Sequence, residues 1–251
     1  MIYKKKIEKN IIETLYRLNV NGVVLSQNLH ENVGLRKMLY QENLNILDGR
    51  YLFEVMLIDC VEYIAIKQHK LVSDLEITIL VNDVSTKIFS LVWLLASKAK
   101  NLCIVTNYID KFKIIQEKIR DKLGFIVRIS NNKRKSLSNA KIIINIDFAE
   151  ENINKYNINE RAILINTNKK IKIESKRFCG INIWNYKIQV PRKILESYNH
   201  IFNVNEIYES MIYNEPNLYV AREKIKADNI KIMALIGNKG EICDKEYLNF
   251  I

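Results

Sequence analysis

The sequence predicts an α/β fold: a doubly wound, mostly parallel sheet in the middle of the chain, preceded by a mainly helical N-terminal segment and followed by a helical C-terminal tail. Two observations carry this. From Glu76 to Val190, short apolar runs alternate with stretches of helical apolar spacing, the pattern of a parallel sheet with crossover helices. On either side of that region, apolar residues recur mainly at helical intervals. The size agrees, since 251 residues with 48% apolar content suffice for one large domain or two modest ones.

In chain order, residues 3–18 suit an amphipathic helix with Ile7, Ile11, Leu15 and Leu18 on one stripe. GVVLS (22–26) reads as a short strand, and LRKMLYQENLNIL (35–47) holds a second helical stripe. DGRYLFEVMLIDCVEYIAIKQHK then predicts one long helix over Arg50 to His69, apolar on more than one face and therefore buried between layers. Strand ITILV (77–81) follows, then a helix from Thr86 to Lys98, strand LCIVT (102–106), and a helix from Ile109 to Leu123 closed by Gly124. FIVRIS (125–130), KIIINID (141–147) and AILINT (162–167) are the next strands, and GINIWNYKIQV (180–190) offers a sixth. After Pro191, RKILESYNHIF and NEIYESMIY return to helical spacing, and the end of the chain suggests a helix and a small hairpin at Gly237 to Gly240. The expected domains are 1–73, 74–190 and 191–251.

Composition narrows the chemistry. Cys60, Cys103, Cys179 and Cys243 are far apart, with no CxxC pair, and the first three sit in apolar surroundings as small hydrophobes. His30, His69 and His200 are equally isolated, so neither a metal centre nor a histidine-based triad is expected, and no catalytic residue is assigned. The opening MIYKKKIEKN has no continuous apolar core of a signal peptide, and the longest apolar run, FSLVWLLAS, is too short to span a bilayer. A cytoplasmic protein without a membrane partner is expected. A formal charge of +11 invites an anionic partner. Yet Lys, Asn and Ile are all used heavily, so many of the lysines are expected to lie scattered over solvated faces.

The stretch ITILVNDVSTKIFSL places a strand-to-helix joint first in the sheet. In a doubly wound sheet the ligand crevice lies at the carboxyl ends of the strands. Those ends supply Asn82, Asp83, Ser85 and Lys87, then Thr106 and Asn107, then Asn145 with Asp147, and finally Asn166, Thr167 and Asn168. Asp83 or Ser85 is expected to cap the following helix. A basic cluster, Lys133, Arg134 and Lys135, follows the third strand and could meet nucleic-acid phosphates, although no aromatic residues are interleaved for base stacking. A solvated turn into a short helix, capped by Ser136 or Ser138, explains the same residues. Trp93, Phe148, Phe178 and Trp184 read as packing residues.

ITILVND, LCIVTNYIDKF and SLSNAKIIINID together resemble the first strand and phosphate loop, the second strand with its ribose-side turn, and the approach to the fourth strand of a Rossmann-type NAD(P)-binding domain. The layout is similar to that of shikimate dehydrogenase and glutamyl-tRNA reductase. That resemblance implies NAD or NADP at the crevice. Against it, no G-x-G-x-x-G is present: Asn82 to Lys87 all carry side chains, and the Asp83 carboxylate would repel a phosphate. Thr106-Asn107-Tyr108 brings neither the acid nor the base that meets the ribose, although Lys111 and Lys113 follow. The lysine and aspartate pair of shikimate dehydrogenase does not align with residues 1–73, and Cys60 falls within a buried helix rather than at a nucleophile's place. The expectation is therefore a degenerate Rossmann-like protein without a cofactor, acting as a scaffold, regulatory or partner-binding module for another protein or a second copy. An NAD(P)-dependent oxidoreductase of the shikimate or amino-acid dehydrogenase type, with an atypical phosphate loop, is the alternative. A nucleic-acid-binding protein is the second.

Overall fold

A computed structural model describes the backbone of residues 2–248 and the side chains of residues 10–248. The side chains of Lys4 to Lys6 and of Ile7 lie outside the described ones. The chain forms two compact units. One combines the residues up to Leu52 with Val190–Pro216 and Val220–Ile230; the other combines Phe53–Gln189, Asn217–Tyr219 and the residues from Lys231 on.

The second unit is built on six parallel strands: β1 (Glu76–Leu80), β2 (Asn101–Val105), β3 (Arg128–Ser130), β4 (Ile142–Asn145), β5 (Ile163–Asn166) and β6 (Ile181–Ile183). Their spatial order is β3-β2-β1-β4-β5-β6, the Rossmann arrangement, with the direction of winding reversing between β1 and β4. Strands β4, β5 and β6 are buried along their whole length, as is all of β1 and β2 beyond the first residue. Burial on both faces explains the near-continuous apolar runs in the sequence. Helices Thr86–Ala96, Ile109–Leu123, Lys133–Asn139 and Glu150–Asn154 connect the strands. Gly124 closes the second of them in the left-handed conformation, at φ 77°.

The expected sixth strand divides. After β6 the chain turns at Trp184, whose backbone N–H donates to Ile236 O at 3.1 Å and whose indole N–H donates to Gly237 O at 3.1 Å. It then enters β7 (Asn185–Gln189), antiparallel to β8 (Lys231–Gly237), which forms a hairpin with β9 (Gly240–Glu241). The hairpin turns at Gly240, φ 104°, where the sequence places it. Against β8 packs the helix Leu57–Lys67, with Tyr63 Oη donating to Met233 O at 3.1 Å.

Other differences have local causes. The long helix breaks at Met56 into Arg50–Val55 and Leu57–Lys67; Leu52, Phe53, Val55, Met56, Leu57 and Ile58 are all buried, more than one straight apolar stripe can turn inward. FIVRIS is strand only from Arg128, because Ile126 stands 68% exposed outside the ladder. RKILESYNHIF is helical only over Arg192–Leu195. Leu18 lies beyond the first helix, Ile2–Arg17, and is exposed; among the described side chains of that helix, Ile12 is the buried one. Cys179 is exposed rather than packed, with its thiol donating to Glu160 O at 3.3 Å.

The first unit is mainly helical. Its apolar cluster draws on Ile12, Leu25, Leu35, Leu39 and Leu44, and Gly22–Val23 pairs briefly with Asn45–Ile46. Helix Val204–Ile212 buries Glu206, Tyr208 and Glu209 along with Ile212. Glu206 meets His30 Nε2 at 3.0 Å, Glu209 accepts the Leu52 N–H at 3.0 Å, and Tyr208 Oη donates to Asp228 at 2.8 Å. Burial pushes the Glu209 carboxyl up to about 7, with the backbone amides of Leu52 and Gly49 pulling the other way.

Candidate functional site

The crevice lies where the winding of the sheet reverses, at the carboxyl ends of β1, β2 and β4. Ser85 caps helix Thr86–Ala96: its backbone is extended, and its hydroxyl accepts the Ile88 N–H at 3.4 Å. Asp83 holds that cap, accepting the Ser85 N–H at 2.9 Å and the Ser85 hydroxyl at 2.8 Å.

The amides ahead of the helix are already engaged. Asn82 N–H donates to both oxygens of Asp147, at 2.9 and 2.8 Å, and Asp83 N–H donates to one of them at 2.6 Å. Asp147 follows β4, so the adjacency of β1 and β4 delivers a carboxylate to the turn that in a glycine-rich loop receives a phosphate. Partial burial holds the Asp147 carboxyl above its ordinary range, while the Asp83 and Asn82 amides draw it down.

Asn82, Thr106 and Asn107 are brought together. Asn82 Oδ1 accepts the Asn107 N–H at 2.9 Å and contacts Thr106 Oγ1 at 3.5 Å, and Thr106 Oγ1 accepts the Tyr108 N–H at 3.1 Å. The Lys133 ammonium donates to Asn107 Oδ1 and stands 5.8 Å above the Phe148 ring, so one residue of the basic cluster belongs to the crevice. Arg134 and Lys135 are exposed, and the helix they open is capped by Asn132, which accepts the Lys135 N–H at 3.1 Å, rather than by Ser136 or Ser138. Lys87 turns to Glu54 at 2.5 Å.

Asn145 serves the interior. Its amide donates to Phe148 O and to Asn166 Oδ1, both at 3.1 Å; Asn166 donates to Asn182 Oδ1 at 2.7 Å, and Asn182 to Ile171 O at 2.7 Å. This amide chain crosses β4, β5 and β6, and all three side chains are buried. Thr167 joins it by donating to Asn145 O at 3.3 Å, whereas Asn168 is exposed.

Sequence reasoning named Asp147 as a strand-end residue without seeing its partners. The available signal was its position: a carboxylate just past the strand expected next to β1. Among the described residues, no group of three or more His, Cys, Asp or Glu side chains is arranged to hold a metal, and no helix is long and apolar enough to cross a membrane.

Among solved structures, the chain is similar to the Δ1-pyrroline-2-carboxylate reductase of Thermococcus litoralis in complex with NADH and L-proline. The match has 14% identity and a TM-score of 0.31, covering 46% of this chain and 36% of that one. A shikimate dehydrogenase in complex with NADP+ matches with 15% identity and a TM-score of 0.32, covering 68% of this chain and 60% of that one. The chain thus spans less than two thirds of the length of either. No protein-family model and no curated protein sequence matches it.

Proposed function

We propose that the chain carries a Rossmann-like domain whose dinucleotide site is closed, and that it works as a non-catalytic scaffold, regulatory or partner-binding module. The observation that carries this reading is the Asp147 carboxylate seated on the Asn82 and Asp83 amides. A pyrophosphate in the ordinary position would have to displace that carboxylate and then lie between two aspartates. Like charges roughly 4 Å apart repel by about 4 kcal/mol at an effective dielectric near 20, enough to turn a micromolar dissociation constant into a millimolar one. Four free cysteines suit a reducing, cytoplasmic setting. The partner is read as another protein or a second copy of the chain.

Calorimetric titration with NAD, NADH, NADP and NADPH is the test. The expected result is no saturable heat in the micromolar range, and a low-micromolar dissociation constant for any of the four sinks the reading. The strand order favours a second reading, an NAD(P)-dependent oxidoreductase in which Asp147 moves aside when the cofactor arrives. It requires the native chain to bind and Ser85→Glu to abolish binding. Nucleic-acid binding finds less support, because Lys133 is engaged by Asn107 and Phe148.

A further inference from the structure

A cavity of about 640 Å³ opens on one face of the parallel sheet, away from the closed joint. Register explains its floor: Thr78 of β1 pairs with Cys103 of β2, and Cys103 pairs with Arg128 of β3, so the three side chains form one row. The crossover from β3 to β4 contains only the seven-residue helix Lys133–Asn139, and the row is left open to the cavity. Its volume lies in the range of small-molecule sites, roughly 300–1,000 Å³.

The lining is specific in character. Thr78 is 4% exposed, and its hydroxyl has no hydrogen-bond partner among the described residues; its oxygen is not sealed in the core and is open to a ligand in the cavity. Lys100, Arg128 and Lys135 bring positive charge to the lining, whereas its one acid, Glu76, is paired with Lys141 at 3.6 Å. No acidic side chain among the described residues forms an ion pair with Arg128. The register sets Arg128 beside Cys103, and the Cys103 thiol, with Glu76 adding to it, raises the guanidinium's already high pKa. An unpaired hydroxyl, a planar cation that makes no salt bridge among the described residues although Glu76 lies in the same lining, and a net positive rim are complementary to a carboxylate or phosphate group.

We propose that this cavity binds a small anionic metabolite, its charged group held by Arg128 and the Thr78 hydroxyl and its body lying beside Cys103. The site is separate from the dinucleotide crevice and goes beyond the reading given above, since it supplies a ligand to a domain whose usual one is shut out.

The full chain is titrated calorimetrically with inorganic phosphate and, separately, with malonate. The expected result is saturable binding of one anion, which identifies the phosphate or the carboxylate class. Arg128→Gln is expected to weaken that binding by about tenfold or more, the loss typical of a hydrogen bond to a charged group. Lys239→Gln, at an exposed lysine that does not line the cavity, leaves it unchanged. Should Arg128→Gln fail to fold, Thr78→Val removes the hydroxyl and keeps the shape. Absence of binding by both anions, or undiminished affinity in the folded variant, overturns the proposal; neither depends on dinucleotide binding.

Discussion

At the scale of single residues, Asp147 is the carboxylate that occupies the Asn82 and Asp83 amides. Asp147→Ala releases the Asn82 and Asp83 amides and removes a negative charge from the mouth of the crevice. The freed amides lie near the surface, where water can reach them, so a loss of only about 1–2 kcal/mol of stability is expected in urea unfolding. The same variant should gain measurable affinity for NADP, read by calorimetry; a variant as inert as the parent would show that the Asp83 charge or the side chains of the loop exclude the cofactor by themselves. Asn166 presents the opposite case, because both neighbours of its amide are buried. Asn166→Ala leaves an Asn145 N–H and the Asn182 carbonyl oxygen without partners, and a cost of about 3 kcal/mol is expected. Asn168→Ala, on the exposed side of the same segment, should stay within about 0.5 kcal/mol of the parent. Sequence reasoning gathered Asn82, Thr106, Asn107 and Asn145 at one sheet edge because the alternation of strands and helices dictates where strand ends fall. It could not tell that Asn145 faces inward along an amide chain while Asn82 faces its loop, since Asn carries the same signal in both settings.

At the scale of elements, strands buried on both faces were legible and strands that change partner were not. ITILV, LCIVT and AILINT stand out as near-continuous apolar runs, which two covered faces require. GINIWNYKIQV reads as one alternating strand because alternation continues through Trp184. The switch from the parallel sheet to the β8 pairing depends on residues about fifty positions later, beyond any local window. What does mark the entry to β6 is Gly180. A Cβ there would lie 2.1 Å from Ala162 O and 2.8 Å from the Phe178 ring, so the backbone must move for any side chain to fit. Gly180→Ala is therefore expected to destabilise by about 2 kcal/mol or more, seen as a lower urea midpoint, whereas Gly124→Ala meets only backbone strain at its left-handed position, about 1 kcal/mol. Equal effects at the two glycines would mean that the β6 edge yields more easily than its close contact implies.

At the scale of the whole molecule, the pH dependence of stability should carry the mark of the buried acids in helix Val204–Ile212. Most proteins gain stability on leaving acid pH, because native carboxylates are paired and ionise early. Glu209 does the reverse: burial raises its folded value to about 7, against an unfolded value of 4.5. Between those two pH values the native state keeps a proton that the unfolded chain has released. The contribution is therefore fully present below 4.5 and lost as pH rises through about 7, a fall of about 3–4 kcal/mol at 1.4 kcal/mol per unit. Glu206 acts in the same direction, raised chiefly by burial and opposed by His30. Neither acid was legible as buried, because in NEIYESMIY both sit at helical spacing among residues that predict only an ordinary amphipathic face. Glu209→Gln keeps an acceptor for the Leu52 amide and removes the ionisation, so its unfolding free energy should lose less than the parent's between pH 4.5 and 8. The slope is the informative quantity, since the new amide N–H groups shift the absolute stability by an amount that does not vary with pH. Urea unfolding of both chains across that range decides it, and parallel pH profiles would mean that Glu209 ionises in the native state as readily as it does in the unfolded chain.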